Sequence, residues 1–319
     1  LAVEAGSLGA FAFLQHRLLR AGGLQASRRT LFAITWAAQA VTNSVPAGSA
    51  VAAVYGFRWF RRLGANDSLA IWALIGTLVG SAVSLALVAT AGLSLAEGEG
   101  ATLDLIPVII GVLSVSVGLG VLYLYRRPQA AVIRWFLRFW RRVSRQPRGD
   151  VHGTTDAFVE RTTAFRLRRR DVGVVLGWGV ATWLLDCACF AISFVAIGSG
   201  IPWKALMLAY GAGQLAANLP ITPGGLGAVE GSITIALVAF GGARTSTVEA
   251  VLVYRLLSFW WVLVAGWGCA GWLAMGVKQG RWPRRVLEGD PAVEALVSVV
   301  LPRHHDGNPR DVEHDEGNQ

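Results

Sequence analysis

The sequence predicts an all-α polytopic membrane protein in which inverted repeats each carry a re-entrant broken-helix hairpin. Three features predict it: an apolar composition, long apolar runs bordered by arginine clusters, and further apolar runs interrupted by Pro, Gly and Asn. Hydrophobic residues make up 54% of the 319 residues and charged residues only 15%, with a mean hydropathy of +0.49. A soluble domain usually carries about 25% charged residues, so the bilayer is the expected solvent. The runs Leu69 to Leu93, Leu105 to Tyr125, Val172 to Gly198 and Val248 to Met275 reach the length of about 20 residues that crosses a hydrocarbon core. Leu1 to Leu14 is short for a span, and with a leucine at position 1 the first repeat is expected to be N-terminally incomplete.

Charge supplies the topology. The net charge is +9, from 29 basic and 20 acidic residues, but the arginines border apolar runs instead of forming one soluble face. This excludes nucleic acid as the expected partner. Residues 16–29, 58–62, 126–170 and 278–285 are basic, whereas 97–104 is acidic. Basic loops are retained on the cytoplasmic side, so the expectation is a chain integral to the cell (inner or plasma) membrane with basic loops and C-terminus cytoplasmic.

Residues 31–60 are flanked by basic clusters at both ends and interrupted by Asn43, Pro46 and Gly48. A simple span would leave one cluster outside, so the stretch is read as a hairpin entering from the cytoplasm and returning. Residues 205–240 carry Asn218, Pro220, Pro223, Gly224, Gly225 and Gly227, too many breakers for a continuous helix. This second hairpin is placed on the opposite face. Gln39-x3-Asn43 and Pro46-Ala47-Gly48 answer Gln214-x3-Asn218 and Pro223-Gly224-Gly225. The offset of about 175 residues is read as an inverted repeat of the kind that surrounds a midplane site in transporters.

The predicted organisation is a first membrane repeat over 1–125, a basic cytoplasmic loop over 126–171, a second membrane repeat over 172–282 and a polar, disordered tail over 283–319. Within the loop, Val132, Phe136, Phe139 and Val143 share one helical face and Arg134, Arg138, Arg141, Arg142 and Arg145 the other, the pattern of an interfacial helix that anchors and orients the chain. Cys187, Cys189 and Cys269 lie in apolar helices and are read as small buried hydrophobes. His304, His305 and His314 belong to the tail. No metal and no cofactor is expected, and the chemistry offers no nucleophile and base pair, so catalytic residues are predicted to be none.

Non-helical backbone at membrane depth is tolerated only where protein or a water-filled cavity satisfies it. Half-helices beginning after Pro46 and after Gly224 would point free N–H groups inward, which suits a phosphate. Intramembrane charge is costly, about 2.5–3.5 kcal/mol for Arg or Asp at a helix centre, which singles out Asp186, Glu230 and Arg255. Glu230 is either a carboxylate stabilising a helix N-terminus or a cation or proton site. Arg255 either pairs with Glu230 or snorkels, or it clamps a lipid phosphate. Asp186 is either a helix-packing acid or a substrate or proton group. Asn43, Asn218, Gln39 and Gln214 are expected to cap the broken ends, and Pro46, Gly48, Pro220, Pro223, Gly224, Gly225 and Gly227 to shape the backbone.

The run Leu219-Pro220-Ile221-Thr222-Pro223-Gly224-Gly225-Leu226-Gly227-x2-Glu230, followed by Tyr254-Arg255 and Trp260, resembles the signature of the lysylphosphatidylglycerol synthase transmembrane region family. With Asn43-x2-Pro46-Ala47-Gly48 as the first-repeat motif, the resemblance extends to about Trp282. It implies a flippase-like membrane protein, similar to the membrane part of multiple peptide resistance factor. The Glu-Arg pair that many members carry after the first hairpin is replaced by Ile71-Trp72-Ala73-Leu74-Ile75-Gly76, and no transferase domain of ordinary size follows the last helix. The expected function is movement of an anionic or aminoacylated phospholipid, or a polyprenyl-phosphate-linked lipid, between leaflets, with Arg255, Glu230, Tyr254, Asn218, Asn43 and Asp186 as substrate-binding residues. The alternative is a membrane subunit or enzyme of lipid or cell-envelope modification. Expected partners are membrane lipids, with a separately encoded lipid-modifying synthase and a second copy of the chain as further candidates.

Overall fold

The computed structural model describes residues 1–96, 165, 167–217, 222–239 and 241–281. Asn218 and Pro220, the run Leu105 to Tyr125, the interfacial face around Phe136 and the tail lie outside the described residues. The described residues form helices without any strand: α1 Ala2–Ala21, α2 Arg28–Ser44, α3 Gly48–Arg62, α4 Asp67–Ala96, α5 Arg169–Ala196, α6 Trp203–Ala217, a single 3-10 turn Pro223–Gly225, α7 Ala228–Ala239, α8 Arg244–Arg255, a π-helical turn Leu256–Trp261 and α9 Val262–Lys278. Among them, Asp67–Ala91, Arg169–Ala196 and the continuous run Arg244–Lys278 are long and apolar enough to cross a membrane.

The helix that holds the first apolar stretch continues beyond Leu14. α1 runs 20 residues to Ala21, about 30 Å at 1.5 Å per residue. Its polar half is accommodated because it packs on protein: Arg17 pairs with Asp171 of α5. The two helices run antiparallel, since the Ser7 hydroxyl donates to the Thr182 carbonyl at 3.0 Å while the later Arg17 meets the earlier Asp171.

Among the described residues, α1 to α4 and α5 to α9 each run as a helix, a short helix, a break, a short helix and a further helical run. The packing follows the same order. α2 packs on α3 and on α9 as α6 packs on α7 and on α4; α1 packs on α4 as α5 packs on α8. Leu14, Leu18, Leu31, Ile34 and Phe60 centre one apolar core, and Phe190, Tyr210, Ile233, Leu237 and Val251 a second. Leu8, Trp36 and Val262 form a smaller cluster joining α1, α2 and α9.

The breaks share a backbone. Val45 precedes Pro46 and is extended (φ −132, ψ 149); Thr222 precedes Pro223 and is extended (φ −130, ψ 154), as a proline demands of the residue before it. The residue after each proline is left-handed, Ala47 at φ 53 and Gly224 at φ 55. At Gly48 a Cβ would stand 2.1 Å from the Thr42 carbonyl oxygen, so only glycine lets the chain fold back this tightly. Gly48→Ala is expected to destabilise the chain by at least about 3 kcal/mol, read as a lower unfolding midpoint in detergent. Gly173→Ala, where an added Cβ meets nothing within 4 Å, should leave the midpoint unchanged.

Candidate functional site

The first break reaches the second. The 3-10 turn of the second break packs on α2, and the Asn43 Oδ1 atom lies 3.2 Å from where a Gly224 Cβ would stand. The Ser44 hydroxyl is held from the other side by the Trp267 indole N–H at 3.1 Å. Asn43 is buried and accepts from the Gln39 amide at 3.5 Å. The N-cap residue of α3 is Ala47, with no side-chain cap hydrogen bond; Asn43 and Gln39 therefore do not cap the broken end as expected. Pro46 stands in the break and Gly48 opens α3.

Arg255 fastens the second break. Its Nε donates to Glu230 Oε1 at 2.6 Å, its Nη2 to the Gly224 carbonyl at 3.0 Å, and its guanidinium lies 4.9 Å from the Phe259 ring centroid. Glu230 also reaches back to accept from the Gly227 N–H at 2.6 Å. Glu230 is the third residue of α7, so this is the acidic half of a capping box. The helix-terminus reading of Glu230 and the pairing reading of Arg255 thus meet in one arrangement: Glu230 satisfies a helix N-terminus and pairs with Arg255. The side chains are 11% and 23% exposed, so a ligand could reach the pair from one side. A Cβ on Gly224 would press to 2.3 Å from Phe259. Pro223 opens the 3-10 turn, and Gly224, Gly225 and Gly227 stand at φ 55, 69 and 83.

Asp186 gathers a different group. Its Oδ2 accepts from the Tyr210 hydroxyl at 2.6 Å and from the Gln214 amide at 3.1 Å; its Oδ1 accepts from the Tyr254 hydroxyl at 3.0 Å. Gln214 thus reaches Asp186, because α6 packs beside α5 and turns this side chain toward the carboxylate. Tyr254, expected beside Arg255 at the substrate, is only 3% exposed and faces Asp186. Its neighbour Arg255 turns to the break, so consecutive residues of α8 serve the two groups.

Sequence reasoning missed Glu4. Its carboxyl faces Asp186 and the Cys189 thiol, it is 4% exposed, and its Oε2 is buried without a hydrogen-bond partner. An acid inside an apolar helix was the signal; it passed unused because α1 was counted as too short to span. The π-helical turn directly after Arg255 was also invisible in sequence, and such turns gather at functional sites. Among the described residues no group of three or more His, Cys, Asp and Glu is placed to hold a metal ion.

Comparison with known proteins places this geometry. Residues 2–266 match the family model described as the lysylphosphatidylglycerol synthase TM region, ending short of Trp282. The chain is 29% identical over 96 residues to a "UPF0104 membrane protein" of Methanothermobacter thermautotrophicus, covering 30% of this chain and 29% of the relative. A further match to a "UPF0104 membrane protein" of that organism is 28% identical over 138 residues, covering 42% of this chain and 39% of the relative. The chain thus spans well under half the length of these curated relatives. No solved structure matches it significantly.

Proposed function

Because the chain belongs to the lysylphosphatidylglycerol synthase transmembrane region family, we propose that it is a flippase-like transporter that moves a phosphate-bearing lipid between leaflets. It is an integral membrane protein. The substrate is an anionic or aminoacylated phospholipid or a polyprenyl-phosphate-linked lipid, and the chain carries no catalytic step of its own. Its basic loops and C-terminus face the cytoplasm.

The observation that carries this reading is the meeting of two broken helices beside a membrane-embedded ion pair. Backbone of this shape is stable at membrane depth only against protein or water. The lipid phosphate would enter beside the Gly224 turn, where Arg255 exchanges Glu230 for a phosphate oxygen, and Glu230 is freed for an ammonium group or a coupling cation. Asn43 supplies a neutral polar contact from the first break. Glu4 and Asp186 form a second carboxyl site, suited to a coupling cation or proton.

An inverted repeat is supported by the shared backbone of the breaks, the matching packing order and the antiparallel pairing of α1 with α5. Helices related by a two-fold axis in the membrane plane must run antiparallel where they meet; an axis along the membrane normal would make them parallel. Alternating access then follows from rocking one half against the other around the breaks.

The test is translocation of fluorescent phosphatidylglycerol, lysyl-phosphatidylglycerol and a polyprenyl-phosphate analogue in proteoliposomes holding the purified chain. Movement of one of them well above empty liposomes is the expected result and identifies the substrate. No movement of any by folded protein would overturn the transporter reading in favour of a membrane partner for a separate synthase.

A further inference from the structure

At the end of α1 opposite Glu4, the chain builds a basic cleft of about 270 Å3 between α1, the start of α2 and the start of α5. Phe13, His16, Arg17 and Arg20 line it from α1, Arg28 from α2 and Trp178 from α5. Phe13 and Trp178 stack at 4.8 Å between ring centroids, and the Arg28 guanidinium lies 5.8 Å from the Phe13 centroid. The walls are therefore aromatic and the rim is cationic.

The charge of the cleft is not balanced. Asp171 pairs with Arg17 and also accepts from the Arg168 backbone N–H at 3.3 Å, so one acid is fully engaged. Arg17 Nε remains buried without a hydrogen-bond partner. Arg20 and Arg28 have no carboxylate partner among the described residues, yet both line the same small space. Scattered interfacial arginines would serve topology equally well without sharing a cleft with a stacked aromatic pair. Guanidinium groups that converge in this way match the oxygens of a phosphate, and the aromatic walls suit the glycerol and upper acyl carbons above it.

We propose that this cleft is a binding site for the phosphodiester headgroup of an anionic phospholipid in the leaflet that the basic loops face. It stands apart from the helix breaks and does not rest on the transport reading; a chain that moved no lipid could still hold one here. In a transporter the bound lipid would tie the ends of α1, α2 and α5 to that leaflet.

The experiment is calorimetric titration of the intact chain, in neutral detergent, with short-chain phosphatidylglycerol, short-chain phosphatidylcholine and inorganic phosphate. The variants are Arg20→Gln/Arg28→Gln, Arg29→Gln and Arg255→Ala, each checked for an unchanged unfolding midpoint or, for Arg255→Ala, for retained folding at the working temperature. Phosphatidylglycerol should bind, and the double variant should weaken that binding at least about ten-fold. Arg29→Gln removes the adjacent charge outside the cleft and should have little effect, and Arg255→Ala should leave this site in place. Equal binding of phosphatidylcholine would overturn the proposal, as would equal losses in Arg29→Gln and the double variant, which would mean a diffuse surface field only. Inorganic phosphate binding as tightly as the lipid would assign the cleft to free phosphate and overturn the lipid source.

Discussion

Arg255→Ala is expected to abolish lipid movement and to lower stability by about 2–3 kcal/mol. The stability loss follows from what the guanidinium touches. Removing it leaves Glu230 as a part-buried carboxylate without its cation, frees the Gly224 carbonyl and strips the Phe259 ring of its cationic partner. Breaking a fully buried pair costs about 3–5 kcal/mol; here the partners are 11% and 23% exposed, so solvent returns part of it. Lysine is a poor replacement, because one ammonium on a flexible stem cannot hold Glu230 and the Gly224 carbonyl from two fixed N–H directions while lying on Phe259. Arg255→Lys should keep the fold and lose most of the transport. The decisive variant is Arg255→Ala/Glu230→Gln, which removes both charges. If Arg255 were only a strut, the double variant would recover stability and transport together. If Arg255 binds the lipid phosphate, stability recovers and transport does not, and that separation is the expected outcome in unfolding and proteoliposome measurements.

How much of this was legible in the sequence depends on whether a feature is local. The breaks were, because proline disfavours helix in the residue before it; Val45 before Pro46 and Thr222 before Pro223 are extended for that reason, and a left-handed residue follows each proline. The long helices were legible from length and apolarity. Partners were not. Nothing in a linear reading turns Gln214 toward Asp186, or separates the consecutive residues Tyr254 and Arg255 into different groups, since both depend on how α5, α6 and α8 meet. Glu4 is within reach of the argument that finds Asp186, an acid in an apolar helix, but the apolar run that holds it is short and the helix continues through polar residues to Ala21. The basic cleft was half visible: its arginines were assigned to topology, while the stacking of Phe13 on Trp178 joins residues far apart in sequence.

Asp186→Ala is expected to be the most damaging single change in the core of the second half. The carboxylate accepts hydrogen bonds from Tyr210, Gln214 and Tyr254, and its removal leaves these donors in a space where water has little access. Each orphaned buried donor costs about 1–3 kcal/mol, so the loss should reach roughly 4 kcal/mol, a large part of a typical domain's stability of about 5–15 kcal/mol. The tyrosines cannot swing away, because Tyr210 and Tyr254 are packed among Phe190, Ile233 and Val251. Asp186→Asn is the informative variant. It keeps the shape and one carbonyl acceptor, and the tyrosine hydroxyls can rotate to accept from its amide, so the fold should survive with a loss of about 1–2 kcal/mol. If the group existed only to tie α5, α6 and α8 together, transport would survive with the fold. A carboxyl that must take up and release a coupling cation or proton cannot be replaced by an amide, so folded Asp186→Asn should transport at least about ten-fold more slowly. Glu4→Gln, on the facing helix, should reproduce that slowing with a smaller stability cost, because Glu4 Oε2 makes no hydrogen bond whereas Asp186 accepts three. Full transport in both folded amide variants would reduce the carboxyl pair to a packing device and leave Arg255 and Glu230 to carry the function alone.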